Sequence, residues 1–325
     1  MLHAAIKDQF YTGEEQPLVS ISCTTFNHSR YICDALYGFL MQKTSFPVEI
    51  LIHDDASTDG AIKIIEAFEE KYPNIILPIY QTENQYSKGV KISSNYNWPR
   101  ARGKYIALCE GDDYWTDPLK LQKQVDFMEK NPDYVICYGD SQPFNEKGLL
   151  YFDFGGARKD LSSEELMKGT PIFTHTTLFR NVVKEMPPEF GVAGYGDKAL
   201  WSVLGTYGKG KYLNNIKPSM YRVHDSGVHS GASEKKRKEM RIRTFCAQMA
   251  YFSRIGKNDM AEYHRRQMLN DQFALEGINY KLFPLFVLLS RSIAPFLWII
   301  RNLSVLNKGV VNILDTVLLA GTKKR

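Results

Sequence analysis

Between residues 18 and 138 short apolar runs alternate with segments of helical periodicity, and no other feature restricts the fold so tightly. The runs 18–24, 48–53, 75–80, 104–109 and 134–138 read as buried strands. Ile32, Leu36, Phe39 and Leu40 share one face of a helix expected over 29–42, and Ser57-Thr-Asp-Gly60 supplies the turn and cap for a helix running to Lys71. Another helix is expected over 90–101. Asp117-Pro118 opens a fourth, carrying Leu119, Leu121, Val125, Phe127 and Met128, and Asn131-Pro132 ends it. Alternation at this spacing predicts an open, mainly parallel α/β sheet. Such sheets bind ligands at the carboxyl ends of their strands. Thr24, Asp54-Asp55 and Asp112-Asp113 all fall at such ends. The second half is less regular, with short strands near 171–180 and 211–223, a helix near 197–206 and basic helices over 234–276.

Glu110-Gly-Asp-Asp-Tyr-Trp115 follows the fourth apolar run directly. A buried strand thus delivers adjacent carboxylates to the sheet edge, where two aspartates repel each other unless a cation sits beside them. Mg2+ and Mn2+ take oxygen ligands of this kind and share them with substrate phosphates. The competing account is a turn in which Gly-Asp-Asp merely caps the next helix. No G-x-x-x-x-G-K-[ST] loop is present, and Gly208-Lys-Gly-Lys-Tyr212 is no substitute. Gly194-Tyr-Gly-Asp-Lys-Ala199 matches a dinucleotide fingerprint only formally, late in the chain and after no convincing strand. A diphosphate bound here would therefore need a cation.

Charge is unevenly placed. Residues 281–325 hold seven Lys/Arg against one acidic residue, Asp315, so a chain of net charge +5 has a main body near −1. That argues against nucleic acid as a partner. The five cysteines are scattered without a C-x-x-C pair, which suggests neither a zinc site nor a disulfide framework. Cys23, Cys109 and Cys137 lie in strand-like runs and are expected buried and reduced. The residues before Pro17 carry no long apolar core, so no secretory signal is read and a cytoplasmic location is expected.

Four blocks in register carry a resemblance: Val19-Ser-Ile-Ser-Cys-Thr-Thr-Phe-Asn27, Ile50-Leu-Ile-His-Asp-Asp-Ala-Ser-Thr-Asp59, Ala101-Arg-Gly-Lys-Tyr-Ile106 and Glu110-Gly-Asp-Asp-Tyr-Trp115. Together, over residues 17–225, they resemble the family 2 glycosyltransferases, which have the GT-A fold. The resemblance implies a Rossmann-like, mostly parallel central sheet flanked by helices, with a helical C-terminal extension outside it. The expected division is a glycosyltransferase domain over 1–232, with a nucleotide-binding half (17–140) and an acceptor half (141–232), followed by the extension 233–325.

The resemblance also implies roles. Thr24 and Asp55 contact the nucleotide base; a strand-end cap and a turn carboxylate are the bland alternatives. Lys88 reaches the base or a phosphate, or is simply solvated. Asp113 ligates a divalent cation, Mn2+ or Mg2+, that bridges the diphosphate, and Asp112 contacts the ribose, or the metal through water. His224, in Tyr221-Arg-Val-His224, resembles a histidine placed near the metal, against a purely structural hydrogen-bonding role. Asp197, opening Asp197-Lys-Ala-Leu-Trp201, is the expected catalytic base for inverting transfer, against an ordinary helix cap. The departure from the family is Gly196, where many relatives carry an acidic residue. Trp115 either stacks on the sugar or packs beneath the loop, and His175 and Trp201 are further candidates for sugar contact.

Over 281–320 apolar segments are interrupted by Arg291, Pro295, Arg301 and Lys308. This pattern suits helices lying on an anionic membrane surface, with packing on the main domain or another subunit as the alternative. The expected activity is transfer of a sugar from a nucleotide-diphospho-sugar, a UDP-sugar, to a glycan or lipid-linked acceptor of capsule or lipopolysaccharide type, peripheral to the inner face of the cell membrane. The alternatives are a catalytically silent nucleotide- or glycan-binding module and a sugar-nucleotide pyrophosphorylase. The latter would want a glycine-rich loop after the first strand, and Thr24-Thr-Phe-Asn-His-Ser-Arg30 has no glycine.

Overall fold

The computed structural model describes residues 4–225, 227 and 232–276. In chain order the first half runs β1 (Val19–Thr25), α1 (Ile32–Leu40), β2 (Val48–Asp54), α2 (Ala61–Lys71), β3 (Ile76–Tyr80), α3 (Trp98–Arg100), β4 (Tyr105–Leu108), α4 (Lys120–Lys130) and β5 (Tyr134–Tyr138). There follow β6 (Ser141–Asn145), β7 (Gly148–Leu149), α5 (Ser163–Met167), β8 (Leu178–Arg180), α6 (Gly196–Leu204), β9 (Lys209–Tyr212), β10 (Ser219–Arg222), α7 (Glu234–Arg254) and α8 (Asn258–Glu276).

The main sheet has the order β3-β2-β1-β4-β8-β5-β9. It is parallel except for β8, which lies antiparallel between β4 and β5. A short second sheet has the order β10-β6-β7. β2 is buried at every position and β1 at all but Thr24, as strands covered on both faces by helices must be. The register pairs Thr25 with Asp54 and Ser22 with Leu108, so β1, β2 and β4 end on one edge. Ile21, Cys23, Ile50, Ile52, Tyr105 and Ala107 from the sheet pack with Leu36, Phe39, Leu121 and Val125 from the helices in one core. Cys23, Cys109 and Cys137 are buried free thiols.

Two expected helices differ in extent. α1 begins at Ile32 because residues 28–31 close a turn, with the N–H groups of Tyr31 and Ile32 both donating to the His28 carbonyl at 2.8 Å. The helix expected over 90–101 is a π-helical turn, Ser93–Asn97, followed by the single turn α3, which carries Pro99 and so lacks one N–H for a regular ladder. Buried Asn97 explains the departure: its amide donates to Ser22 Oγ, Cys23 O and Leu51 O, tying this turn to β1 and β2.

The described residues divide into two compact units, one running to Glu185 with Val203–His224 and one of Met186–Ser202 with the described residues from Asp225 onward. The first holds both sheets. In the second, α7 and α8 are joined by a two-bond Arg241–Asp271 pair at 2.8 Å and by the Phe252 and His264 rings stacked at 5.4 Å. The buried Glu189 carboxylate pairs with Arg254 of α7. No helix among the described residues is long and apolar enough to cross a membrane. The segment 281–325, to which the sequence assigns membrane-surface contact, lies outside the described residues.

Candidate functional site

The carboxyl edge of β1, β2 and β4 gathers the polar residues. Thr24 is half-buried, and its carbonyl accepts the Gly111 N–H at 2.9 Å, tying the end of β1 to the 110–113 turn. Gly111 is required there: a Cβ at this position would lie 2.9 Å from Thr25 Oγ1 and 3.0 Å from Ile32 Cδ1. Asp54 is fully buried and its Oδ1 accepts the Ser57 N–H at 2.8 Å, a turn-fixing role. Asp55 accepts the N–H groups of Gln85 (2.8 Å) and Tyr86 (3.0 Å), so its carboxylate anchors the loop that carries Lys88. Lys88 is exposed and paired with Glu83 of the same loop.

β10 runs past the aspartate turn and fixes it. Tyr114 and Met220 exchange backbone hydrogen bonds at 3.2 and 2.8 Å. The Arg222 N–H donates to Asp113 Oδ1 at 2.8 Å, and Arg222 Nε donates to the Asp112 carbonyl at 2.9 Å. The guanidinium lies 4.4 Å from the Tyr31 ring and 4.5 Å from the Phe144 ring, and its far end binds Asp34 at 2.7 Å. Two residues beyond, His224 Nε2 meets Asp112 Oδ2 at 2.9 Å. His28, from the turn after β1, brings its Nε2 to 3.8 Å from the same oxygen. One ligand atom from each of His28, Asp112 and His224 falls within 4.8 Å of the others, a donor set of two imidazoles and one carboxylate.

The neighbouring aspartates are in opposite electrostatic states. Burial would raise the Asp112 carboxyl, but the hydrogen bond from His224 and the charges of His28 and His224 hold it below the usual range. Burial, together with the charges of Asp112 and Glu110, pushes Asp113 well above it. Burial pushes the His28 imidazole down, which leaves its ring nitrogen available as a neutral donor to a cation.

The geometry places several of the expected site residues differently from the sequence reading. The sequence gives the metal to Asp113, and to Asp112 the ribose side or the metal through water. Asp113 is instead buried and turned inward, with Oδ2 lying 3.2 Å from His175 Nδ1, while Asp112 faces the two histidines. Of the two alternatives for Trp115 the structure has the packed one: it is 1% exposed, packs edge-on against Phe39 at 4.9 Å and donates from Nε1 to the His175 carbonyl at 2.6 Å. His175 is likewise buried, with Nε2 2.8 Å from Ser141 Oγ and its ring stacked on Tyr221 at 5.6 Å. Trp201, in the second unit, is fully buried and presents no ring face to a ligand. Asp197 lies in that unit too, in the first turn of α6, where its Oδ1 accepts the Lys198 N–H at 2.8 Å.

Residues 20–179, from β1 into β8, match the model for glycosyl transferase family 2. The chain belongs to that family. An uncharacterized protein of Mycobacterium tuberculosis is 34% identical over 226 residues, which are 68% of this chain and 63% of that protein, so the chain spans less than two thirds of that relative's length. The Escherichia coli UDP-Glc:alpha-D-GlcNAc-diphosphoundecaprenol beta-1,3-glucosyltransferase WfaP is 29% identical over 262 residues, covering 80% of this chain and 94% of WfaP. Among solved structures, TarS of S. aureus in complex with UDP-GlcNAc superposes with a TM-score of 0.56 at 15% identity, over 94% of this chain and 92% of that one. The Pyrobaculum calidifontis mannosyltransferase PcManGT in complex with GDP-Man and Mn2+ gives 0.52 at 13% identity, over 97% and 89%. These likenesses establish the GT-A fold.

Two residues of this family 2 chain escaped sequence reasoning. His28 lies four residues after Thr24, at a strand end already identified as the ligand edge, and that position was its signal. Arg222 precedes His224 by two residues, and the period of an extended chain places both on one side.

Proposed function

We propose that this chain is an inverting glycosyltransferase that moves a sugar from a UDP-sugar to a hydroxyl of a glycan or lipid-linked acceptor. The setting is cell-surface polysaccharide synthesis at the inner face of the membrane. One observation carries the reading: Asp112, His224 and His28 converge at the sheet edge that also bears Thr24 and Asp55. The likeness to WfaP, named for UDP-Glc, and to TarS in complex with UDP-GlcNAc supports the choice of donor.

Thr24 and Asp55 bind the base, and Asp55 suits an N–H of uracil because a carboxylate offers more lone pairs than its two backbone donors occupy. Lys88 moves from Glu83 to the donor. Asp112 and His224 would hold a divalent cation, Mn2+ or Mg2+, which would supply Lewis acidity to stabilise the departing diphosphate. Asp113, turned inward, keeps the turn in place rather than touching the ion. Asp197 takes the proton of the acceptor hydroxyl as it attacks the anomeric carbon, and inversion follows from a single displacement.

The test is a panel of nucleotide-sugars with Mn2+ or Mg2+, read as thermal stabilisation, donor hydrolysis and transfer. Asp197→Asn is expected to abolish transfer while UDP binding persists. Full turnover by that variant would remove Asp197 from the role. Stabilisation without turnover by the wild-type chain would point to the silent module.

A further inference from the structure

We infer that His28 is a third protein ligand beside Asp112 and His224, and that this two-histidine, one-carboxylate site loads Mn2+ without a nucleotide and in preference to Mg2+. The inference deepens the cation assignment made above and rests on it, but not on sugar transfer.

The backbone commits His28 to this position. Asn27, just before it, adopts a left-handed conformation with φ 55°, uncommon outside glycine and best tolerated by Asn. The surroundings here are explicit. The Asn27 N–H donates to Ser57 Oγ at 2.8 Å, Asn27 Oδ1 accepts the Thr58 N–H at 2.8 Å, and the Ser29 N–H donates to Asp59 Oδ2 at 2.7 Å. The loop after β1 is thus bound to the loop after β2 on both sides of His28. On its other side, the His28 carbonyl starts the turn into α1.

The spacings suit one small ion. Two bonds of about 2.1 Å at a right angle separate their ligand atoms by about 3 Å, and a wider angle separates them by up to about 4 Å. The Asp112–His224 and Asp112–His28 separations of 2.9 and 3.8 Å fall in that range. The His28 and His224 rings meet edge to face, 6.2 Å between centroids at 88°, so their nitrogens converge without the rings stacking.

Donor chemistry then sets the preference. Mg2+ is held chiefly by oxygen and gives up its waters reluctantly, whereas imidazole nitrogen suits first-row transition ions. Three protein ligands also leave coordination positions open for a diphosphate, yet are enough to retain Mn2+ before one arrives.

The full chain, stripped with EDTA, is titrated with Mn2+ in the absence of nucleotide and free Mn2+ is read by electron paramagnetic resonance. Co2+ absorption provides a second readout, because its visible bands report nitrogen ligands. The wild-type chain is expected to bind Mn2+ at least about tenfold more tightly than Mg2+. His28→Ala and the size-preserving His28→Gln should each weaken Mn2+ by about tenfold or more, on the scale at which metal sites respond to loss of a supporting group, and should shift the Co2+ bands. Thermal unfolding in EDTA establishes that both variants are folded. Unchanged Mn2+ affinity in the two folded variants, or equal affinity of the wild type for Mg2+ and Mn2+, would overturn the inference. Turnover with Mg2+ but no Mn2+ binding without nucleotide would sink it and leave the proposed function standing. Tight Mn2+ binding with no response to any nucleotide-sugar would do the reverse.

Discussion

Lys120, the first residue of α4, is 1% exposed, and its ammonium sits in the core against the Trp115 ring, 4.1 Å from the centroid. Its hydrogen bond goes to a neutral group, Gln124 Oε1, at 2.8 Å. The carboxylate that acts on it from a distance, Asp117, already accepts from Lys123 Nζ, the Lys217 N–H and the Leu119 N–H. Burial therefore dominates and lowers Lys120 from 10.5 to about 7. Two thiols that also act on the ammonium stay neutral through this range, because burial pushes Cys109 well above its usual value and Cys137 up to about 12.

The sign follows from where the proton sits. Below pH 7 both folded and unfolded chains carry it, and the fold bears the full cost of a buried ammonium, on the order of 5 kcal/mol. Between about 7 and 10.5 the unfolded chain holds the proton and the folded one has released it, so stability rises with pH. Integrating over pH 7 to 9 gives a gain of about 2 kcal/mol attributable to this one group. Lys120→Met keeps the length of the side chain and abolishes the titration. Urea unfolding of both proteins at pH 7, 8 and 9, followed by tryptophan fluorescence, should show the wild type gaining about 2 kcal/mol on the variant across the series. Other titrating groups cancel in the difference, and so does the constant loss of the Gln124 hydrogen bond. A difference independent of pH would refute the reasoning, because it would mean the ammonium is solvated in the native state.

Asp112→Asn should abolish nucleotide-free Mn2+ binding, whereas Asp113→Asn, which keeps an acceptor for the Arg222 N–H, should retain it within a few-fold; equal loss in both would restore Asp113 as the ligand. In the second unit, Arg254→Ala leaves the carboxylate of Glu189, which is 1% exposed, without its guanidinium. Because Arg254 is 46% exposed, the expected cost is about 2–3 kcal/mol, below the figure for a fully buried pair, and should appear as a fall in melting temperature that Glu189→Leu partly restores.

What could be read in the sequence was whatever follows from local chemistry. The apolar runs specified buried parallel strands, and the polar residues just past them, Thr24, Asp55 and Asp112, had to emerge on the edge where parallel strands end. The insertion of β8 antiparallel between β4 and β5 was not readable, because two-residue pairings such as Cys137 with Leu178 depend on which strand edges remain open after the rest of the sheet has formed. The orientation of Asp112 and Asp113 was not readable for a related reason. Adjacent residues in an extended turn point to opposite sides, so one carboxylate must face the ligand and the other the protein. Which one faces inward is decided by β10, whose Arg222 N–H arrives from over a hundred residues away and satisfies Asp113. The same strand carries His224 to Asp112 and stacks Tyr221 over His175. Trp115 and His175 thereby become the packed floor beneath the aspartate turn. An aromatic residue beside a ligand loop is equally suited to hold a sugar or to support the loop, and here the indole N–H bonded to the His175 carbonyl assigns Trp115 to support. A cation held by Asp112, as proposed, would take its rigidity from that floor, and Asp113, His175 and Trp115 would then act on the chemistry through the position of Asp112.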